Sequence, residues 1–117
     1  MATFPKVRVA EGQATTAQVN AGLTIVNPIA GHTITVVDGW LRPIGGNAAT
    51  ATSVVLEDTA GTDAFSIAVG GLTQNAVARV GLATHSTNTN VGTALGAGKG
   101  LQIKKVGSDL AGSTAVD

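Results

Sequence analysis

The stretch VVLEDTAGTDAFSIAV, residues 54–69, decides the fold class of this chain. Apolar residues alternate with other residues over positions 53–57 and again over 65–69, the period-two pattern of strands with one buried face. Between the two runs, residues 58–63 (DTAGTD) are of the types that form turns. We therefore predict a β-hairpin whose two strands are joined at this turn.

The same acidic turn also raises a calcium hypothesis, because Ca²⁺ binds several oxygen atoms from one flexible loop. Glu57, Asp58 and Asp63 would supply the carboxylates. The segment lacks the D-x-[DN]-x-[DN]-G pattern of an EF-hand loop and its distant Glu. The hairpin turn accounts for the same residues with fewer assumptions.

Short strand patterns recur along the rest of the chain, with turn signals between them. The 16 glycines and the many threonines suit short strands and tight turns better than helices. Together these features predict an all-β fold, an antiparallel β-sandwich or jelly roll with about seven to eight short strands and at most one short helix. The further predicted strands cover residues 6–9, 23–26, 33–36, 101–104 and 113–117.

Two segments do not follow this alternation. Residues 72–80 place Leu72, Ala76 and Val80 at helical spacing, and we predict a short helix or an irregular loop there with equal weight. Residues 82–98 have little periodicity and are predicted to form a long surface loop, a kind of segment that often carries function. We assign residues 11–117 to a single β-sandwich domain and residues 1–10 to an extended N-terminal arm.

Composition excludes several classes of function. Charged residues make up 12% of the chain and the formal net charge is zero, so binding to nucleic acid or to an anionic membrane is not expected. The chain has no cysteine, which excludes disulfides, thiolate metal ligands and cysteine nucleophiles. No apolar run approaches the roughly 18 residues needed to span a bilayer, and the N-terminus lacks the apolar region of a signal peptide. We expect a soluble protein made in the cytoplasm.

The glycine-rich residues 93–103 (TALGAGKGLQI) invite a comparison with phosphate-binding loops. A P-loop needs glycine where Thr93 stands and a hydroxyl residue where Gly100 stands. Residues 101–106 continue as an alternating strand rather than a helix, which also argues against a dinucleotide-binding fingerprint. We predict a glycine-rich turn that enters a strand, with Lys99 in solvent and no nucleotide cofactor.

The sequence offers few groups for catalysis. His32 and His85 both lie in polar loop contexts, and a metal site built on them would need a carboxylate such as Asp38 or Asp63 as a third ligand. No Gly-x-Ser-x-Gly motif is present. We predict that the protein is not an enzyme and that it holds no cofactor and no metal.

Trp40, Arg42 and Arg79 are candidate partner-binding residues in the body of the domain. A lone Trp in a small sandwich is expected to anchor the core, whereas an exposed Trp would mark an interface or a sugar-binding platform. A guanidinium can make planar, bidentate bonds to a partner, and a solvated arginine is the alternative at both positions.

With residues 38–46 (DGWLRPIGG) and 97–117 (AGKGLQIKKVGSDLAGSTAVD) taken together, the chain resembles small β-sandwich structural proteins of tailed bacteriophages. It is most similar in character to capsid decoration, or cement, proteins: neutral, cysteine-free and rich in Gly, Thr, Ala and Val over most of its length. The resemblance implies a homotrimer on the capsid surface of a virion that clamps neighbouring subunits of the major capsid protein, often with an extended terminal arm.

The N-terminal arm is a further candidate for partner binding, through Phe4, Lys6 and Arg8. Its alternating residues could add a strand to the edge of a neighbour's sheet, where main-chain hydrogen bonds supply affinity. The alternative function is a receptor- or carbohydrate-binding β-sandwich module of a tail fibre or spike. That alternative predicts an exposed Trp40 or a polar surface formed by residues 84–93.

Overall fold

The computed structural model describes residues 9–81 and 85–117 of the chain. Within these residues there are ten strands in three antiparallel sheets, one α-helix and one 3₁₀ turn at Val69–Gly71. In chain order the elements are β1 (Ala14–Thr15), α1 (Thr16–Ala21), β2 (Leu23–Val26), β3 (Trp40–Leu41), β4 (Pro43–Ile44), β5 (Ser53–Asp58), β6 (Asp63–Ala68), β7 (Ala78–Arg79), β8 (Ser86–Thr87), β9 (Leu101–Val106) and β10 (Ala115–Val116).

The prediction of an all-β sandwich is confirmed. The strand count in the described residues exceeds the predicted seven to eight because six of the ten strands are only two residues long. Such short pieces carry no readable alternation of their own. They form because neighbouring backbones meet at those points rather than because of a local sequence pattern.

The largest sheet has the strand order β2-β9-β5-β6-β8 and is built around the predicted hairpin. β5 and β6 pair with Leu56 opposite Phe65, and β9 covers the other edge of β5 with Ile103 opposite Leu56. Because directly opposed side chains point to the same face, this register aligns Leu56, Phe65 and Ile103 on one face. The period-two pattern of the sequence therefore becomes a continuous apolar surface.

One hydrophobic core lies on this inner face. Val54, Phe65 and Ile67 are almost completely buried in it. The two small sheets, β1-β10-β4 and β3-β7, contribute Leu41, Val116 and other apolar residues to the same cluster. The core is mainly aliphatic, with Phe65 as its single buried aromatic residue among those described.

The helix α1 was not predicted at residues 16–21. Thr15 accepts a hydrogen bond from the Gln18 amide, and the Gln18 side chain accepts one from the Thr15 amide, which completes a capping box. Val19 is fully buried beneath the helix. The T-x-x-Q pattern was the available signal, but a six-residue helix shows too few turns for a helical period to stand out.

The helix alternative for residues 72–80 is wrong, and the irregular-loop alternative is confirmed apart from the short strand β7. Backbone amides in this segment bond to distant partners: the Gln74 amide to the side chain of Asn47, and the Asn75 amide to the carbonyl of Pro43. Asn75 also has a φ of 61°, which is incompatible with a right-handed helix. The bonds to other parts of the chain replace those a helix would make.

Two other predicted strands differ from the structure. Residues 33–36 make an isolated bridge, Thr35 with Ala94, instead of a strand. Val9 is outside any strand and is 83% exposed, and Val7 lies outside the described residues.

The buried inner face gives a first prediction. Ile67→Ala should lower the free energy of unfolding by about 2–5 kcal/mol, because it removes buried methyl groups and leaves a cavity. The control is Val77→Ala at a valine that is 58% exposed, which should change it by less than about 0.5 kcal/mol. Urea unfolding followed by circular dichroism measures both, and equal losses for the two variants would contradict this assignment of the core.

Candidate interaction cleft

The glycine-rich stretch has its backbone amides occupied by the protein itself. The Gly98 amide donates to the carbonyl of His32 at 2.8 Å, the Gly100 amide to the hydroxyl of Thr59 at 3.2 Å, and the Gly96 amide to the carboxylate of Asp58 at 3.4 Å. These are the groups a phosphate would need. Lys99 is exposed. The prediction of a turn that enters a strand is confirmed, since β9 begins at Leu101.

Asp58 is a buried carboxylate that closes the hairpin turn. Its Oδ1 accepts hydrogen bonds of 2.9 Å from the amides of Ala60 and Thr62, and its Oδ2 accepts the one from Gly96. Burial by itself would raise the pKa of Asp58, but the amide hydrogen bonds outweigh it and hold that pKa below its ordinary value. A calcium ion at this carboxylate would have to displace N–H donors, so the turn is a structural device and not a calcium loop.

The two histidines lie apart from any cluster of metal ligands. His32 is exposed, with Nδ1 3.1 Å from the carbonyl oxygen of Ala30. His85 packs against the 3₁₀ turn, where a Cβ added at Gly71 would come within 2.7 Å of its side chain. Among residues 9–81 and 85–117, no group of three or more His, Cys, Asp or Glu side chains is placed to hold a metal ion.

A cleft of about 1790 Å³ lies beside β2. It lies between residues 9–14, residues 23–29, residues 32–41 and part of the inner face of the large sheet, including Leu56 and Ile103. Seven large apolar residues are exposed in the described chain, and five of them line this cleft. We call these five the cleft residues: Val9, Ile25, Ile29, Val37 and Trp40.

Trp40 is 40% exposed, so the expectation that it anchors the core is wrong. Its neighbour Leu41 turns inward and is 6% exposed, as alternation along a strand requires. The preceding residue, Gly39, lies so close to the core that an added Cβ would come within 2.7 Å of the Phe65 ring. The backbone therefore approaches the core at Gly39 and presents the indole of Trp40 at the cleft.

Arg42 and Arg79 each form an ion pair within the chain. Arg79 lies opposite Trp40 in the β3-β7 pair and bonds to Asp38 through Nε at 3.3 Å and Nη2 at 2.5 Å. This Arg79 hydrogen bond, together with the Gly39 amide, holds the pKa of Asp38 below its ordinary value. Both partners are about half exposed, so the pair contributes little to stability.

Arg42 bonds to Asp117 from Nε at 3.1 Å, and the two residues also exchange backbone hydrogen bonds of 2.9 and 3.1 Å. The Arg42 guanidinium, and after it the Gln13 amide, lower the pKa of Asp117. Arg42 thus holds the end of β10 against β4, which gives it a structural role in addition to the predicted one.

The structure brings some of the predicted partner-binding residues together. Trp40 and Arg79 are neighbours, and Trp40 lines the cleft; Arg42 points to Asp117 near one end of it. Phe4, Lys6 and Arg8 lie outside the described residues. Ile25, Ile29 and Val37 were not among the predicted partner-binding residues, although the adjacent Val36 and Val37 indicated that one of the two must face outward.

No protein-family model, curated protein or solved structure matches this chain. In the described part of the chain no helix is both long and apolar enough to cross a membrane.

The three amide hydrogen bonds to Asp58 predict that replacing this residue lowers the stability of the fold. Asp58→Asn puts an NH₂ group where one carboxylate oxygen faces amide donors, and it should cost about 1–3 kcal/mol. Asp109→Asn is the control, because Asp109 is largely exposed and its pair with Lys105, at 3.4 Å, lies at the surface. Urea unfolding at pH 7 measures both, and an Asp58→Asn variant as stable as the control would refute the role assigned to this carboxylate.

The lowered pKa values of two carboxylates predict that stability falls with acid. The pKa values of Asp58 and Asp117 are lowered in the folded chain, whereas in the unfolded chain each is about 3.9. Their contribution is therefore complete above about pH 4 and is lost as the pH falls through the lower, folded-state values. Unfolding measured from pH 7 to pH 2 should show this decline, with a smaller decline in Asp58→Asn; an unchanged profile in the variant would contradict it.

The close packing around Gly100 predicts that a methyl group added at this position will destabilise the fold. A Cβ at this position would come within 2.2 Å of the carbonyl oxygen of Val26 and within 3.0 Å of Pro28. Gly100→Ala should therefore separate β2 from β9 and lower the thermal midpoint by several degrees, whereas Gly12→Ala meets nothing within 4 Å and should leave it unchanged. Equal midpoints in differential scanning calorimetry would rule out this close approach.

Proposed function

We propose that this chain is a non-enzymatic structural protein of a virion that decorates a phage capsid and stabilises it as an oligomer, by bridging neighbouring capsid subunits. The observation that carries the proposal is the concentration of exposed apolar side chains at one cleft. Contiguous exposed apolar surface in a folded protein commonly marks an interaction site. A protein that works by assembly needs such a surface and needs no reactive groups.

The electrostatics of the described residues support an assembly role. Asp58 is satisfied by backbone amides, and Asp38 and Asp117 are paired with arginines. Catalytic carboxylates and histidines are usually gathered in a cleft with perturbed pKa values. Here Asp38 and Asp117 line the cleft but are held in ion pairs with arginines, and Asp58, the most buried carboxylate, closes a turn.

The size of the core also supports assembly. The described chain buries one aromatic side chain and otherwise mainly Ala, Val, Leu and Ile. A small aliphatic core yields a modest stability, and binding to the folded state alone adds to it by mass action. Contacts with capsid subunits and with other copies would therefore stabilise the chain as well as the shell.

Shells assembled without this protein provide the test. Purified protein added back should sediment with them in a saturable manner and raise the temperature at which they release their contents. Val37→Asp should weaken this binding about tenfold or more, because burying an unpaired carboxylate is costly. The matched control is Val77→Asp, at an exposed valine outside the cleft. Failure of the unaltered protein to sediment with its shells would overturn the proposal.

A second candidate is a carbohydrate-binding module, favoured by one observation. Trp40 presents a half-exposed indole beside the polar pair of Arg79 and Asp38, and sugars commonly stack on aromatic side chains flanked by hydrogen-bonding groups. A glycan panel separates the two candidates. Binding that is lost in Trp40→Ala but retained in Val37→Asp would support the sugar module, and no binding to any glycan would dismiss it.

A further inference from the structure

The two edges of the large sheet differ in chemistry. One edge is β8, a two-residue strand of Ser86 and Thr87. The other is β2, which carries Leu23, Ile25 and Val26 and, in the described chain, has no strand on its outer side. An apolar edge strand with unpaired backbone groups is a template for pairing with another chain.

The open edge of β2 adjoins the cleft. A register shift between Thr24 and Val26 marks a bulge, and Ile25 at this bulge is 41% exposed. Leu23–Val26 also line the cleft, so the outer edge of β2, which no other strand of the described chain covers, and the exposed apolar side chains belong to one continuous surface. An occupant would therefore be recognised through both its backbone and its side chains.

The dimensions of the cleft favour a polypeptide over a small molecule. Small-molecule sites usually enclose roughly 300–1,000 Å³, whereas this cleft is about 1790 Å³ and open to solvent. Two of the carboxylates in its lining, Asp38 and Asp117, are already paired with arginines of the same chain. An extended segment with apolar residues on one side suits an open cleft of this volume and lining better than a compact ligand does.

We infer that this cleft binds residues 1–8 of a second copy of the chain, in an extended conformation beside β2. The inference deepens the proposed function, because it rests on the chain acting as an oligomer. It identifies one partner of the cleft as the N-terminal segment of a neighbouring copy.

The sequence of this segment fits the cleft. Residues 6–9 (KVRV) alternate, so that Val7 and Val9 share one face of an extended chain while Lys6 and Arg8 share the other. An added strand would place Val7 on the apolar cleft of the neighbouring copy and the two cations in solvent. Eight extended residues span about 26 Å, roughly twice the length of the four-residue strand β2.

The position of Val9 favours exchange between copies. Val9 itself lines the cleft, so the N-terminal segment starts from the same face that carries the acceptor surface. Two or more copies can then exchange segments in a closed, symmetric arrangement in which every cleft is filled. The exchange would cover the cleft residues, which are exposed in the isolated chain.

Because the chain has no cysteine, site-directed crosslinking gives a direct test. Val7→Cys and Ile25→Cys are prepared as separate variants, mixed and treated with a short bismaleimide in the absence of capsid shells. We expect a product of twice the chain mass, several-fold more abundant than in either variant alone. Val77→Cys replaces Ile25→Cys in the control mixture, because Val77 is exposed but lies outside the cleft.

Three results would overturn the inference. Equal crosslinking in the Val77→Cys mixture would show contact without selectivity, and absence of a product in both mixtures would show that the segment does not reach β2 of another copy. A double variant, Val7→Cys with Ile25→Cys in one chain, that crosslinks only within itself would show that each chain fills its own cleft. None of these results depends on shells, so the decoration proposal is tested separately by the sedimentation experiment.

Discussion

The buried carboxylate of Asp58 is the interaction on which the arrangement of the large sheet depends. It accepts hydrogen bonds from backbone amides of both the β5-β6 turn and the glycine-rich loop that precedes β9. These two connections flank β5, so one side chain ties together the ends of the three central strands. With Asp58 opposite Leu101, the register places Leu56 opposite Ile103 and aligns the inner face. A slip of one residue would turn each of these apolar side chains to the opposite face of the sheet.

The core formed on that face leaves part of its apolar surface uncovered. Three small pieces, β1-β10-β4, β3-β7 and α1, contribute to the core, and the segment from residue 27 to 39 crosses beside β2 with a single isolated bridge. Gly39 allows this segment to approach Phe65, but Val37 and Trp40 on either side of it remain exposed. The cleft is thus a consequence of covering a five-stranded sheet with short, irregular elements instead of a complete second sheet.

The parts of the fold that the sequence predicted are those with enough length to show a period. β5, β6 and β9 each have six residues, and alternation identified all three together with the turn at residues 58–63. Two-residue strands such as β3 and β7 depend on contacts between segments about 40 residues apart, which no local pattern encodes. The exposure of Trp40 was not predictable for a related reason. Alternation allowed either Trp40 or Leu41 to face inward, and the close approach of Gly39 to Phe65 fixed the choice.

The low net charge of the chain and its apolar cleft both favour association between copies. A chain with a formal net charge of zero has little long-range repulsion between copies, and low net charge promotes association. In a protein that remained a monomer, an exposed apolar cleft would promote nonspecific aggregation, because copies would associate through it in no defined arrangement. The same cleft becomes an advantage when an extended segment of defined alternation covers it, because backbone pairing at β2 fixes the direction and register of the contact. Neutrality, an apolar edge strand and an alternating N-terminal segment therefore support the proposed assembly through backbone pairing at β2.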